Sequence, residues 1–292
     1  MTLQRIYSNW DAVKDATGTP GSRKRKIWRE VLQARPAIAY WGDSWFSTPL
    51  YKNLYWNSFA RIDGISLRLG GPGLTAAKML TPANCREQAE RLKSREFDLV
   101  CLSIGGNDAL GARLSALFDG APRVDADAAF QRLLDARVFD VLRDRYHLAL
   151  SELAKVGGNF RVVGHGYARL NRIGDPGKTS IKNLGLVSPL IGNVGPWLWP
   201  AMKGPLGTKA EARRFADLLL VDGFRDRVLA PSKADFPALF SHADFSDVAE
   251  ADDPAFWYDE IHPTEAGFGV LASHYNAAIR AALPAAKRAA VA

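Results

Sequence analysis

The sequence predicts an α/β protein, a three-layer α/β/α sandwich around a parallel sheet of about five strands. Short apolar runs at residues 37–41, 65–69, 97–104, 160–163 and 236–240 alternate with helical stretches. That alternation gives a parallel sheet with both faces covered. Glycine-marked loops at 42–44, 70–73, 105–108 and 164–166 each follow a strand directly. Ligands bind such sheets outside the carboxyl ends of the strands, so these four loops are expected on one edge. The chain has 292 residues, 47% of them apolar, which suits one sizeable core.

Residues 1–35 read as an N-terminal extension of one or two short helices, broken between Gly18 and Gly21. Residues 37–41 form a strand ending in Gly42. Thr48 as N-cap and Pro49 at the first helical position predict a helix running to about Ala60. The strand at 65–69 is stopped by Gly70-Gly71-Pro72-Gly73. Residues 75–92 read as helix, interrupted at Pro82. The run 97–104 is mostly apolar and is expected to be central. Residues 125–156 carry a helical apolar pattern at Phe130, Leu133, Leu134, Val138 and Leu142. The strand at 160–163 leads into Gly164-His165-Gly166. Residues 167–208 break the rhythm: this stretch is long for a connection and is rich in Gly and Pro. With Leu184, Leu186, Leu190, Ile191 and Trp197-Leu198-Trp199, it reads as an insertion, either packed as core or lid-like over a site. Helix is expected again over 210–229 and 264–283, and a flexible tail over 284–292.

The net charge is +7, but Lys and Arg are scattered among acids. The dense run Ser22-Arg23-Lys24-Arg25-Lys26 reads as the solvated start of a helix that continues to Gln33. No nucleic-acid partner is expected. Two cysteines argue against a disulfide scaffold. Cys and His show no zinc-ligand spacing, so no metal and no other cofactor is expected. The N-terminus lacks the apolar stretch of a signal peptide, and no apolar run reaches transmembrane length, which makes the cytoplasm the expected compartment. The sequence sets no oligomeric state.

Gly42-Asp43-Ser44 and Asp259-Glu260-Ile261-His262 stand near opposite ends of the chain, with Gly105-Gly106-Asn107-Asp108 between them. A hydroxyl, an imidazole and a carboxylate are the parts of a nucleophilic hydrolase. The hydroxyl needs a base, and the base needs an orienting group. An Asp three residues before a His can orient it locally, because a turn brings both side chains to one side of the chain. On these blocks, from about Pro36 to about Tyr275, the chain resembles the SGNH hydrolases, or GDSL-type esterases and lipases. Gly-Asp-Ser, a glycine after the second strand, Gly-x-Asn-Asp and Asp-x-x-His appear in that family's order. The chain departs from the pattern at Trp45, where the family usually has leucine.

The resemblance implies a flavodoxin-like SGNH hydrolase domain over 36–283 and a serine esterase acting through an acyl-enzyme. Ser44 is then the nucleophile, His262 the acid–base and Asp259 its orienting partner. The oxyanion donors are the Ser44 N–H, the Gly73 N–H and the Asn107 amide, with Gly70 and Gly71 competing for the second place. Trp45, Phe46, His165 and Trp197 are candidate substrate contacts, while Asp43 and Asp108 read as loop organisers. His242 and His274 read as bystanders, and His147 as a surface residue of a helix. The expected substrate is a small-molecule ester of short to medium acyl chain, or a lipid-like ester, because Trp41, Trp45 and Phe46 form an aromatic wall. A carbohydrate O-acetylesterase would use the same machinery. From other classes, a basic module binding nucleic acid or anionic lipid would be indifferent to Ser44→Ala, and a metal hydrolase built on Asp43, Asp108, Asp259 and His262 would be sensitive to a chelator.

Overall fold

The computed structural model describes residues 5–48, 52–110, 112–175 and 196–292. Among them, strands β1 (Arg5–Tyr7), β2 (Ala37–Gly42), β3 (Ile65–Gly70), β4 (Leu99–Ser103), β5 (Arg161–His165) and β6 (Phe240–Ala243) form one sheet. Its order is β1-β3-β2-β4-β5-β6, and every pairing is parallel. β2 and β4 are buried along their whole length, as continuous apolar runs at the centre of a parallel sheet must be.

The helices are α1 (Trp10–Thr17), α2 (Arg23–Ala34), α3 (Ser44–Ser47), α4 (Leu54–Phe59), α5 (Ala76–Met79), α6 (Pro82–Ser94), α7 (Gly106–Ala109), α8 (Ala112–Phe118), α9 (Ala126–Asp135), α10 (Val138–Val156), α11 (Trp199–Leu206), α12 (Lys209–Ala216), α13 (Ala230–Asp235) and α14 (Glu265–Ala282). Between α12 and α13 the backbone keeps winding as π-helix over Asp217–Gly223 and Arg225–Leu229. Their boundaries follow local chemistry. Thr81 accepts from Asn84 N–H and Pro82 occupies the first turn, so the stretch expected as one interrupted helix divides into α5 and α6. The long pattern over 125–156 breaks at Arg137, whose backbone is left-handed with φ 54°. Thr264 caps α14 by accepting from Gly267 N–H.

Four expectations are corrected. The sheet has six strands, because the N-terminal extension contributes β1 besides its two helices; three residues are too few to display a period. The helix expected from Thr48 and Pro49 starts instead at Leu54, where Asn53 accepts from Trp56 N–H; Pro49 itself lies outside the described residues. The last strand falls at Phe240–Ala243 rather than 236–240, because helical winding continues to Asp235. The expected flexible tail is packed: Val291 is buried and bridged to Ile62, and Lys287 pairs with Asp98 at 2.6 Å. Leu184, Leu186, Leu190 and Ile191 of the expected insertion lie outside the described residues. Among the described residues, no helix is long and apolar enough to cross a membrane.

From β2 the chain crosses to β3 on one side and later to β4 on the other. The switch point of the sheet therefore lies between β2 and β4, at their carboxyl ends. The loop after β2 carries Ser44, and the loop after β4 carries Asn107.

Candidate active site

Ser44 stands where β2 ends and the four-residue helix α3 begins. The sheet fixes this corner: Asp43 N–H donates to Ser103 O at 2.9 Å, and Gly71 N–H donates to Gly42 O at 3.1 Å. The Asp43 carboxylate turns inward, where it accepts from Trp45 N–H at 3.2 Å and from the Ser103 hydroxyl at 3.0 Å. Burial pushes its pKa up to about 6, which those two donors only partly offset. Asp43 thus organises the turn beneath Ser44 rather than facing the cleft as a base.

His262 reaches Ser44 from the other end of the chain. Asp259 Oδ1 accepts the backbone N–H groups of Ile261 and His262 at 2.8 and 2.7 Å. The chain closes on itself as Tyr258 N–H donates to His262 O at 2.8 Å. That turn explains the three-residue spacing, because it brings the imidazole over the carboxylate that made the turn. His262 Nδ1 lies 2.8 Å from Asp259 Oδ2, and His262 Nε2 lies 3.0 Å from Ser44 Oγ. Burial alone would raise the Asp259 pKa. The charge of His262 and the hydrogen bonds from His262 and Ile261 outweigh it and hold Asp259 below the usual carboxylate range. An ionised Asp259 keeps the proton on Nδ1 and leaves Nε2 free to accept from the Ser44 hydroxyl.

Gly73 and Asn107 belong to two loops that are tied together. Asn107 Nδ2 donates to Leu74 O at 2.9 Å, using one of its two N–H groups. Asp108 accepts from Ala76 N–H at 2.7 Å, so it holds the loop after β3 against the loop after β4. Gly73 takes φ 73° with open space where a Cβ would be. Gly70 is needed for a different reason: a Cβ there would lie 2.0 Å from Gly42 O.

The cleft at Ser44 is lined by Trp45, Gly106, Asn107, Leu110, Tyr167, Leu220, Ile261 and His262, with Asp43 beneath. Of the expected substrate contacts, Trp45 is in this lining. Phe46 is not, because α3 turns it into the core, with its ring 5.4 Å from Tyr40. His165 stacks behind Trp45 at 5.0 Å, and burial lowers its pKa to about 4, so it is a neutral core residue. Trp41 is likewise buried within β2. Trp197 does not line the cleft; its ring stands edge-on to the His262 imidazole at 6.2 Å and 82°. Leu198 is buried core.

Sequence reasoning missed Leu110, Tyr167, Leu220 and Glu260. The Glu260 carboxylate is buried beside Asp259 and accepts backbone N–H groups from Gly174, Trp197, Leu198 and Trp199. Among the described residues, no three His, Cys, Asp or Glu side chains gather as metal ligands.

No protein-family model matches the chain, and no curated protein matches it in sequence. Solved structures do. The lipase Lip_vut3 from a goat rumen metagenome aligns at 13% identity over 85% of this chain and 97% of its own, with a TM-score of 0.51. Phospholipase A1 from Streptomyces albidoflavus NA297 aligns at 19% identity over 84% of this chain and 99% of its own, with a TM-score of 0.50. The chain has the SGNH hydrolase fold, a single parallel sheet flanked by helices.

Proposed function

We propose that this chain is a serine hydrolase of carboxylic esters and belongs functionally with the SGNH hydrolases. One observation carries the reading: the unbroken relay from Ser44 Oγ through His262 to Asp259, with heavy-atom steps of 3.0 and 2.8 Å. Groups that are 218 residues apart in sequence meet at proton-transfer distance. The two solved structures compared above are described as a lipase and a phospholipase A1, which agrees with an ester substrate.

In this mechanism Ser44 attacks the ester carbonyl as its proton passes to His262 Nε2. The imidazolium that forms faces ionised Asp259. The oxyanion is received by the Ser44 N–H, which as a first-turn helix donor has no partner within α3, and by the second N–H of Asn107. Gly73 supplies the third donor, since Gly71 N–H is engaged by Gly42 O and Gly70 lies within β3. Collapse of the intermediate returns the proton to the leaving alcohol. Water, activated by the same imidazole, then hydrolyses the acyl-enzyme. The apolar walls from Trp45, Leu110, Tyr167, Leu220 and Ile261 favour a short- to medium-chain or lipid-like acyl group.

A fluorophosphonate probe tests this directly. Wild type should be labelled at Ser44, and Ser44→Ala and His262→Ala should not. Folded wild type that resists the probe would end the serine hydrolase reading. A panel of p-nitrophenyl esters of rising chain length, run beside acetylated sugars, then tests the substrate; a sharp preference for the sugars would overturn the acyl-chain assignment.

A further inference from the structure

Helix α11 begins without a cap of its own. Its N-cap residue, Leu198, has no side-chain acceptor, and Pro200 removes one of the first-turn donors. Ala201 N–H turns back to Leu198 O at 3.2 Å, and the N–H groups of Trp197, Leu198 and Trp199 all point at one carboxylate from elsewhere in the chain. Glu260 Oε2 accepts from Trp197 and Leu198, the latter at 2.5 Å; Oε1 accepts from Trp199 at 3.0 Å and from Gly174 at 2.9 Å. Glu260 is fully buried, and its partners among the described residues are all backbone N–H groups. A second strut runs the same way. Arg172 Nη1 donates to the carbonyls of Trp257 and Tyr258 at 3.0 and 3.3 Å. Residues 172–174 and 197–199 are thereby bound to the turn that carries Asp259 and His262.

The position of this contact makes it more than a cap. Glu260 separates the two relay residues of that turn, and one of the N–H groups it holds belongs to Trp197, whose ring stands edge-on to His262. The imidazole is bonded to Asp259 on one side and to Ser44 on the other. The Trp197 ring stands beside that line, and Glu260 holds the Trp197 backbone N–H.

We infer that Glu260 is a positioning residue of the esterase reaction, holding Trp197 by its backbone so that the indole confines the His262 imidazole in line with Ser44. This rests on the serine hydrolase reading above. It names a residue that does not touch substrate and acts through two others. A carboxylate is required because a single planar group must accept four N–H donors. Glutamine would keep one acceptor oxygen and set an NH2 against the donors meant for the other.

The test combines Glu260→Gln, Trp197→Ala, Trp197→Phe and the double variant Glu260→Gln/Trp197→Ala. Each is assayed for kcat and KM on a p-nitrophenyl ester and for the rate of fluorophosphonate labelling, with urea midpoints as a check on folding. Small displacements of a reacting group cost up to about 100-fold in rate. Glu260→Gln and Trp197→Ala should each lower kcat and the labelling rate by about 10- to 100-fold, with KM within about threefold. Trp197→Phe, which keeps a ring, should recover most of the loss. The double variant should be no slower than the slower single variant, as expected for two residues acting through one contact. If Glu260→Gln does not fold, the two Trp197 variants decide, because that side chain is half-buried. Wild-type kcat and labelling in Trp197→Ala, or multiplicative losses in the double variant, overturn the inference while leaving the triad intact. Wild type that is not labelled at all removes the triad and the inference with it.

Discussion

Ser44 and His262 meet at 3.0 Å but are held there by different means. The Ser44 corner is part of the sheet: backbone hydrogen bonds tie it to β3 and β4, and Gly42 and Gly70 admit no side chain. The His262 turn belongs to no strand. It is shaped by the carboxylates of Asp259 and Glu260 accepting backbone N–H groups. The nucleophile's position is therefore coupled to global stability, whereas the base's position depends on a few side chains that can be altered with the fold intact. Mutations on the two sides should separate activity from stability in opposite ways.

Asp259→Asn gives the largest expected effect on the His262 side. Asparagine can still accept from Ile261 and His262 N–H, so the turn should persist, with stability changed by about 1 kcal/mol. What it loses is the charge that sets the tautomer. Neutralising the orienting carboxylate of such a triad lowers kcat by about 10^4. Steady-state ester hydrolysis alongside urea denaturation would measure both quantities. A variant retaining a tenth of the activity would mean that Asp259 does not orient the base.

Gly70→Ala is the counterpart on the Ser44 side. Its Cβ would fall 2.0 Å from Gly42 O, a backbone atom of the neighbouring central strand, at a residue with φ 102°. Neither strand can retreat without breaking the ladder below Ser44. Left-handed strain and overpacking together are expected to cost about 3 kcal/mol or more. The urea midpoint should fall accordingly, and activity should fall only as folded protein is lost. An unchanged midpoint would show the sheet edge to be pliable, and the contrast between the two supports would collapse.

The same contrast decides what could be read from sequence. Gly-Asp-Ser, Gly-x-Asn-Asp and Asp-x-x-His are local backbone patterns after strands, so their residue types and spacings survive as text. The parallel sheet was legible from apolar alternation, apart from β1, whose three residues show no period. Phe46 and His165 were misplaced because adjacency to Ser44 or to a strand end does not reveal which way a short helix turns its side chains. Glu260 was invisible for another reason. Its partners are backbone N–H groups on residues 174 and 197–199, and a backbone donor leaves no trace in residue identity. Leu110, Tyr167 and Leu220 look like any core residue until the fold brings them to the cleft.

The carboxylates of Asp259 and Asp43 give the finest test. Asp259 is held below the usual range, whereas burial raises Asp43 from 3.8 to about 6, with the charge of His262 opposing that rise and Asp108 adding to it. A carboxyl group raised on folding favours the folded state most at low pH, where it is protonated in both states. Between about pH 4 and 6 the unfolded chain releases this proton while the folded chain retains it, so stability falls as pH rises. At 1.36 kcal/mol per pH unit, the change from 3.8 to about 6 amounts to about 3 kcal/mol. Asp43→Asn keeps an acceptor for Trp45 N–H and Ser103 but cannot titrate. Subtracting its unfolding free energy from that of wild type at each pH removes the contribution of other buried carboxyls raised on folding, such as Glu260, Asp98 and Asp217. That difference should decline from pH 4 to 6 and level off above it. A flat difference would mean that Asp43 carries no buried proton. The sheet side would then hold an ionised carboxylate just as the turn side does, and the electrostatic half of the comparison would be lost.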